Sequence, residues 1–294
     1  MKYNNKPLSV TLNIFFVIMC VICIFPVLMA LSASFTSEAS LIKEGYRLIP
    51  KVTSLDAYKY VFGTSNAIVR AYGITILVTA VSVVFGVLVS SMYAYVISRK
   101  DFEYRKLFSF ISFFTMLFNG GLVASYLINT KFLHLSNNLW ALILPGTMSA
   151  WNVIVLRSFF QGSVPYEIIE SGKLDGADEF KVFFKLVMPI SLPGIATIAL
   201  FIMIAKWNDW LAPMLYITDS KLYTLSFLLQ NMMNNIQEMM NNAAESGVSN
   251  QMENMPTEGA RMALCMVAIA PMLVAYPFFQ KYFIQGMTVG SVKG

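Results

Sequence analysis

The stretch FQGSVPYEIIESGKLDGADEFKVFFKLVMPISLP, residues 160–193, lies between two long apolar runs and carries too much punctuation for a plain linker. Ser163-Val164-Pro165 is a helix start signal, because a first helical position has no use for the N–H that proline lacks. Tyr166, Ile169 and Leu174, interleaved with Glu167 and Glu170, predict a short helix. Gly172 and Gly176 fall near its end, and Gly176 can supply the positive φ that reverses the chain. A second helix is expected from Ala177-Asp178, showing Phe180, Phe183, Phe184 and Val187, and Pro189 leads into the next apolar run. A short amphipathic helix joined rigidly to two apolar runs suits a knob that enters a groove on a soluble partner. The same pattern fits a helix lying on a membrane surface, and spacing alone leaves both readings open.

Working outward, six runs are long enough to cross a bilayer, which takes roughly 20 residues. They cover residues 10–32, 70–97, 107–129, 139–159, 188–216 and 259–283. Hydrophobic residues make up 57% of the 294, and charged residues only 13%, about half of the roughly 25% usual in soluble domains. The fold class is therefore all-α: a polytopic membrane protein with six transmembrane helices, since in lipid only helices and closed barrels satisfy every backbone group. Pro145-Gly146 interrupts the fourth run, and Pro193-Gly194 and Pro213 interrupt the fifth. Such breaks point to a packed bundle around a pathway. The first run is too long for a signal-peptide core and is expected to remain as an uncleaved helix.

The net charge of +5 reads as topology. The loop SRKDFEYRK, residues 98–106, holds four basic residues in nine. Together with the near absence of Lys and Arg from residues 217–258, it puts both termini on the cytoplasmic side. Two long outside segments result. Residues 36–66 contain DAYKYVF, a candidate short helix, and residues 223–254 read as a partly amphipathic excursion or a solvated linker. No arginine-rich run with interleaved aromatics marks a nucleic-acid site.

The run EIIESGKLDGADEFKVFFKLVMPISLP resembles the coupling motif of binding-protein-dependent ABC importer permeases. In that family an E-A-A triplet is followed, four residues after its second alanine, by glycine and then by a hydrophobic-Pro pair. Here Glu170, Ser171 and Gly172 stand at the triplet, Gly176 is the motif glycine, and Met188-Pro189 is the pair. Both alanines are thus replaced, by residues that stay small. Residues 205–216, AKWNDWLAPMLY, resemble the W-N-D stretch of the family's carbohydrate branch. Residues 283–294, FIQGMTVGSVKG, resemble the tail of subunits like the second permease of the maltose transporter. The likeness runs from about residue 70 to the end and is nearest to the permeases of oligosaccharide and polysaccharide importers.

The resemblance implies a type I importer fold, with an N-terminal helix and outside segment over residues 1–69 and a core over 70–294. The coupling helix falls at about 163–180 and the tail at 286–294. It implies a heterodimer with a second homologous permease, two cytoplasmic ABC ATPases, an extracellular solute-binding protein and a sugar substrate, all in a bacterial cytoplasmic membrane and its lipid. Glu170, Ser171, Gly172, Asp175, Gly176, Ala177 and Pro189 would form the ATPase-coupling surface. Gly286, Gly290, Val292, Lys293 and Gly294 would face the ATPase from the tail.

Sugars present apolar C–H faces and many hydroxyls, so aromatic and planar polar side chains inside spans are candidate contacts. These are Asn119, Trp151, Asn152, Trp207, Asn208, Asp209 and Trp210. Interfacial aromatic belts and helix contacts explain the same residues without a ligand. Lys206 and Asp209, three apart, are expected to pair on one helix face. Cys20 and Cys23 sit in an apolar run and read as small buried hydrophobes. The single His134 and three scattered cysteines build no catalytic or metal constellation, and no G-x-x-x-x-G-K-[ST] loop occurs. The chain is expected to be a non-catalytic subunit without cofactor, driven by another chain. Rival readings are an ABC permease for another solute class, or a non-transport anchor whose inside loop binds a different cytosolic partner.

Overall fold

The computed structural model describes residues 6–63, 65–246 and 257–291. Helix dominates. Among the described residues, extended pairing is limited to an isolated bridge between Thr36 and Thr53. The helices are α1 Lys6–Ser34, α2 Glu38–Glu44, α3 Asp56–Phe62, α4 Ser65–Ser98, α5 Arg105–Leu117 and α6 Gly121–Phe132. They continue as α7 Trp140–Ile143, α8 Ala150–Ser163, α9 Tyr166–Leu174, α10 Glu179–Ile190, α11 Leu192–Trp207, α12 Leu211–Tyr216, α13 Leu225–Ser246 and α14 Thr257–Ser291.

Three of these are continuous and apolar enough to cross a membrane: Leu8–Ser34, Asn66–Ser98 and Thr257–Pro277. The third and fifth expected runs are bent pairs. α5 and α6 meet at 112°, and α10 and α11 at 84°. The fourth is split into α7 and α8 around Pro145 and Gly146, whose φ is +73°. With four and 14 residues, neither piece is long enough to span alone. Among the described residues, three to five spans are therefore formed by continuous helices or bent pairs, short of the expected six, because the fourth run forms no helix long enough to cross.

The chain divides into two compact units, residues 1–68 with 229–272 and residues 69–228 with 273–294. In the first, α1 exposes every side chain from residue 8 to residue 26, as suits a helix solvated by lipid. Cys20 and Cys23 are exposed there. The expected burial is corrected by that: among the described residues, no helix covers this face of α1. In the same unit the Glu38 carboxylate accepts from Thr257 Oγ1 (2.9 Å) and from the backbone N–H groups of Glu258 (2.9 Å) and Gly259 (3.0 Å). It caps the start of α14, where helix N–H groups have no partner of their own. DAYKYVF forms α3, and Leu225–Ser246 of the Met- and Asn-rich segment forms α13, while residues 247–254 lie outside the described residues.

The second unit has a core of Tyr95 and Ile97 from α4, Leu156 and Phe160 from α8, Ile169 from α9, Val182, Phe183 and Val187 from α10, and Ile198 and Ile202 from α11. This cluster fixes the segment between α8 and α11.

Candidate functional site

α9 is short, and its two ends explain why it forms. Pro165 is the N-cap, with φ −59° and ψ 139°, one position ahead of the expected first helical site. Glu167 lies in the first turn and Lys173 in the last, each at the end of the helix dipole that favours its charge. Gly176 takes φ +77°. Its N–H donates to Lys173 O at 3.0 Å, and the Ala177 N–H donates to Gly172 O at 2.9 Å. These are the two bonds of a Schellman stop, which needs a left-handed residue where Gly176 stands. Asp178 then caps α10, its carboxylate accepting from Lys181 N at 2.7 Å.

One face of α9 is buried through Ile169 and Gly172. A Cβ built on Gly172 would lie 2.7 Å from Leu186 Cδ1 and 3.5 Å from Val182 Cγ2. The small residue at this triplet position is thus explained by close approach to its own chain. The other face carries Glu170, Ser171 and Asp175, all exposed. Leu174 is 89% exposed at the tip, and Phe180 is exposed just beyond the turn. Ala177 is half-buried and Pro189 exposed. The result is an apolar tip flanked by carboxylates, held by a capped helix on a packed core.

Beneath it lies a group of charges that spacing did not reveal. Arg99, at the end of α4, grips Asp101 with two nitrogens, one of them Nε at 2.8 Å, and contacts Glu179 with a third. Lys173 Nζ lies 3.0 Å from Glu179 Oε1 and 3.4 Å from Asp101 Oδ2. Tyr95 O–H donates to Glu179 Oε2 at 3.3 Å. The hydrogen bonds from Arg99 hold the Asp101 carboxyl down at about 2, and the Glu179 hydrogen bond raises the Lys173 pKa. In the sequence, Arg99 and Asp101 registered only as loop charge.

The candidate pathway residues fall at three breaks. Asn119 is exposed at the α5–α6 bend, where its Oδ1 accepts from Gly121 N at 2.9 Å. Trp151 and Asn152 open α8, the first exposed and the second buried. Trp207 is buried at the end of α11, its ring centroid 6.5 Å from that of Tyr72. Asn208 bonds its own helix at Ile204 O (2.9 Å), Asp209 caps α12 through Leu211 N (3.1 Å) and Ala212 N (3.0 Å), and Trp210 is exposed. Lys206 is turned away from the pairing expected with Asp209. Its Nζ donates to Leu142 O at 2.6 Å and Pro145 O at 2.7 Å. Carbonyls freed by the break in the fourth run outcompete a carboxylate already used as a helix cap.

In the tail, Gly286 and Gly290 lie on the α14 backbone. Val292, Lys293 and Gly294 lie outside the described residues.

Broken apolar helices joined by an exposed, capped knob fit the membrane subunit of an ABC importer. The fold matches a chain in the crystal structure of a bacterial ABC transporter involved in the import of the acidic polysaccharide alginate, with a TM-score of 0.80 at 24% identity over 96% of this chain and 99% of that one. Residues 101–289 match the binding-protein-dependent transport system inner membrane component family, and the chain belongs to that family. It is 36% identical over 291 residues to the polygalacturonan/rhamnogalacturonan transport system permease protein YtcP of Bacillus subtilis, covering 99% of this chain and 100% of that one. It is 28% identical over 298 residues to the arabinooligosaccharides transport system permease protein AraQ of Halalkalibacterium halodurans, covering 100% of each.

Proposed function

We propose that this chain is a permease subunit of an ATP-driven, binding-protein-dependent importer that moves an oligosaccharide across a bacterial cytoplasmic membrane by alternating access. The observation that carries this reading is α9, with Glu170, Ser171, Asp175 and the bare Leu174 on its free face and Ile169 and Gly172 locked into the core. A soluble ATPase that closes on this knob would push against a packed cluster and not a loose loop. Its partners are a second, homologous permease, two ATPases and an extracellular solute-binding protein. The α9 side and both termini are cytoplasmic. The core domain runs from residue 70, the tail from Gly286 to Gly294 faces the ATPase, and Asn152 and Trp207 belong to the pathway. The full-length similarity to a polygalacturonan/rhamnogalacturonan permease makes galacturonate-containing fragments the first solutes to test.

The test is co-expression with the candidate ATPase, second permease and binding protein, followed by detergent pull-down and uptake in vesicles. Glu170→Lys and Gly176→Val are expected to lose both ATPase attachment and uptake. Retention of both activities in both variants would refute the reading. Uptake of an unrelated solute in preference to any sugar would replace the substrate class.

A further inference from the structure

Arg99, Asp101, Lys173 and Glu179 form a closed circuit of alternating charge: Arg99 to Asp101, Asp101 to Lys173, Lys173 to Glu179, and Glu179 back to Arg99. Its members come from the end of the second span, the loop after it, the last turn of α9 and the first turn of α10. Only 9% of the Arg99 side chain is exposed, and its guanidinium also stands 5.6 Å from the centre of the Tyr95 ring. Below, Tyr95 and Phe183 pack with ring centroids 5.3 Å apart. Lys173 and Glu179 flank the Gly176 turn, so the circuit clamps the two sides of that turn together.

We infer that Arg99 is a positioning residue for transport, tying the coupling knob sideways into the second span as a strut separate from the peptide link into α11. This rests on the docking role assigned to α9 above. A charge in bulk water would be too weakly held for such a task, since exposed pairs contribute little. A planar guanidinium nearly withdrawn from solvent and gripping two carboxylates is different, because its fork fixes direction as well as distance. When the ATPase moves α9, the Arg99 fork drags the end of α4 with it. Without the fork, α9 rocks on the Gly176 turn, and hydrolysis proceeds with less movement of the bundle.

The experiment is the amount of sugar imported per ATP hydrolysed, measured in proteoliposomes holding the whole transporter. Arg99→Ala is expected to lower that ratio about fivefold or more, the size of an ordinary coupling free energy, while the ATPase still co-purifies. Arg99→Lys keeps the charge but loses the fork, and should fall between. Should Arg99→Ala not assemble, Lys173→Gln breaks the circuit at an exposed member and is expected to lower the ratio in the same direction. A wild-type ratio in both Arg99→Ala and Lys173→Gln overturns the strut and leaves the docking role of α9 standing. A wild-type complex that holds no ATPase overturns both.

Discussion

The ammonium of Lys206 bonds the carbonyls of Leu142 and Pro145, 64 and 61 residues earlier in the chain, at 2.6 and 2.7 Å. Pro145 and Gly146 break the fourth apolar run, and a break leaves carbonyls without helical donors. In an apolar setting such acceptors are costly unless a donor reaches them. Lys206 supplies two from one side chain and so fastens α11 to the broken run. Lys206→Met keeps the bulk and removes the donors, leaving buried acceptors at about 1–3 kcal/mol. Thermal unfolding of the detergent-purified chain should shift down by several degrees. An unchanged midpoint would show that other donors suffice.

Glu38 performs the same service for α14, with one carboxylate taking three donors at the helix start. Glu38→Ala should destabilise by about 0.5–2 kcal/mol, the range for a lost cap, read as a lower unfolding midpoint. Glu38→Gln keeps an acceptor oxygen but loses the charge that favours a helix N-terminus, and should cost less than Glu38→Ala. Equal losses would assign the whole effect to packing.

The Asp101 carboxyl, held at about 2 from an ordinary 3.8 by the hydrogen bonds of Arg99, sets a pH window. A depressed acid contributes stability at every pH above its unfolded value and loses it as pH falls through the folded value. The difference in unfolding midpoint between wild type and Asp101→Asn should therefore be flat from about pH 5 to 8 and shrink only below about pH 4. A difference that changes near neutrality would mean that another group governs the contact.

How far the sequence carries depends on the range of each interaction. α9 was legible because its signals are local: Pro165 before it, Gly176 after it and Asp178 at the next start act within a few residues. The breaks in the fourth and fifth runs were legible from Pro145-Gly146 and from the prolines near 193 and 213. The Lys206 pairing was misread, because three-residue spacing favours Asp209 and gives no hint of carbonyls 61 and 64 positions away. The Arg99–Glu179 contact was invisible for the same reason, as its partners are 80 residues apart. Polar residues at span breaks were named without knowing that Asn208 and Asp209 already serve their own backbone.

Gly172 offers the sharpest check on that boundary between local and long-range effects. Alanine is the residue usual at this place in the resembling motif, and in a helix it is better than glycine by about 1 kcal/mol. The Cβ it adds would stand 2.7 Å from Leu186 Cδ1, the tip of a half-buried side chain. Moving that tip off its rotamer costs about 0.5–1.5 kcal/mol. The two effects nearly cancel, so Gly172→Ala alone should leave stability within about 1 kcal/mol of wild type. Shortening Leu186 removes the obstacle. In a Leu186→Ala background, Gly172→Ala should therefore stabilise by about 1 kcal/mol, the full helix gain, and the double-mutant cycle should report a favourable coupling between the two sites. Strict additivity would mean that Leu186 is not what keeps this position small.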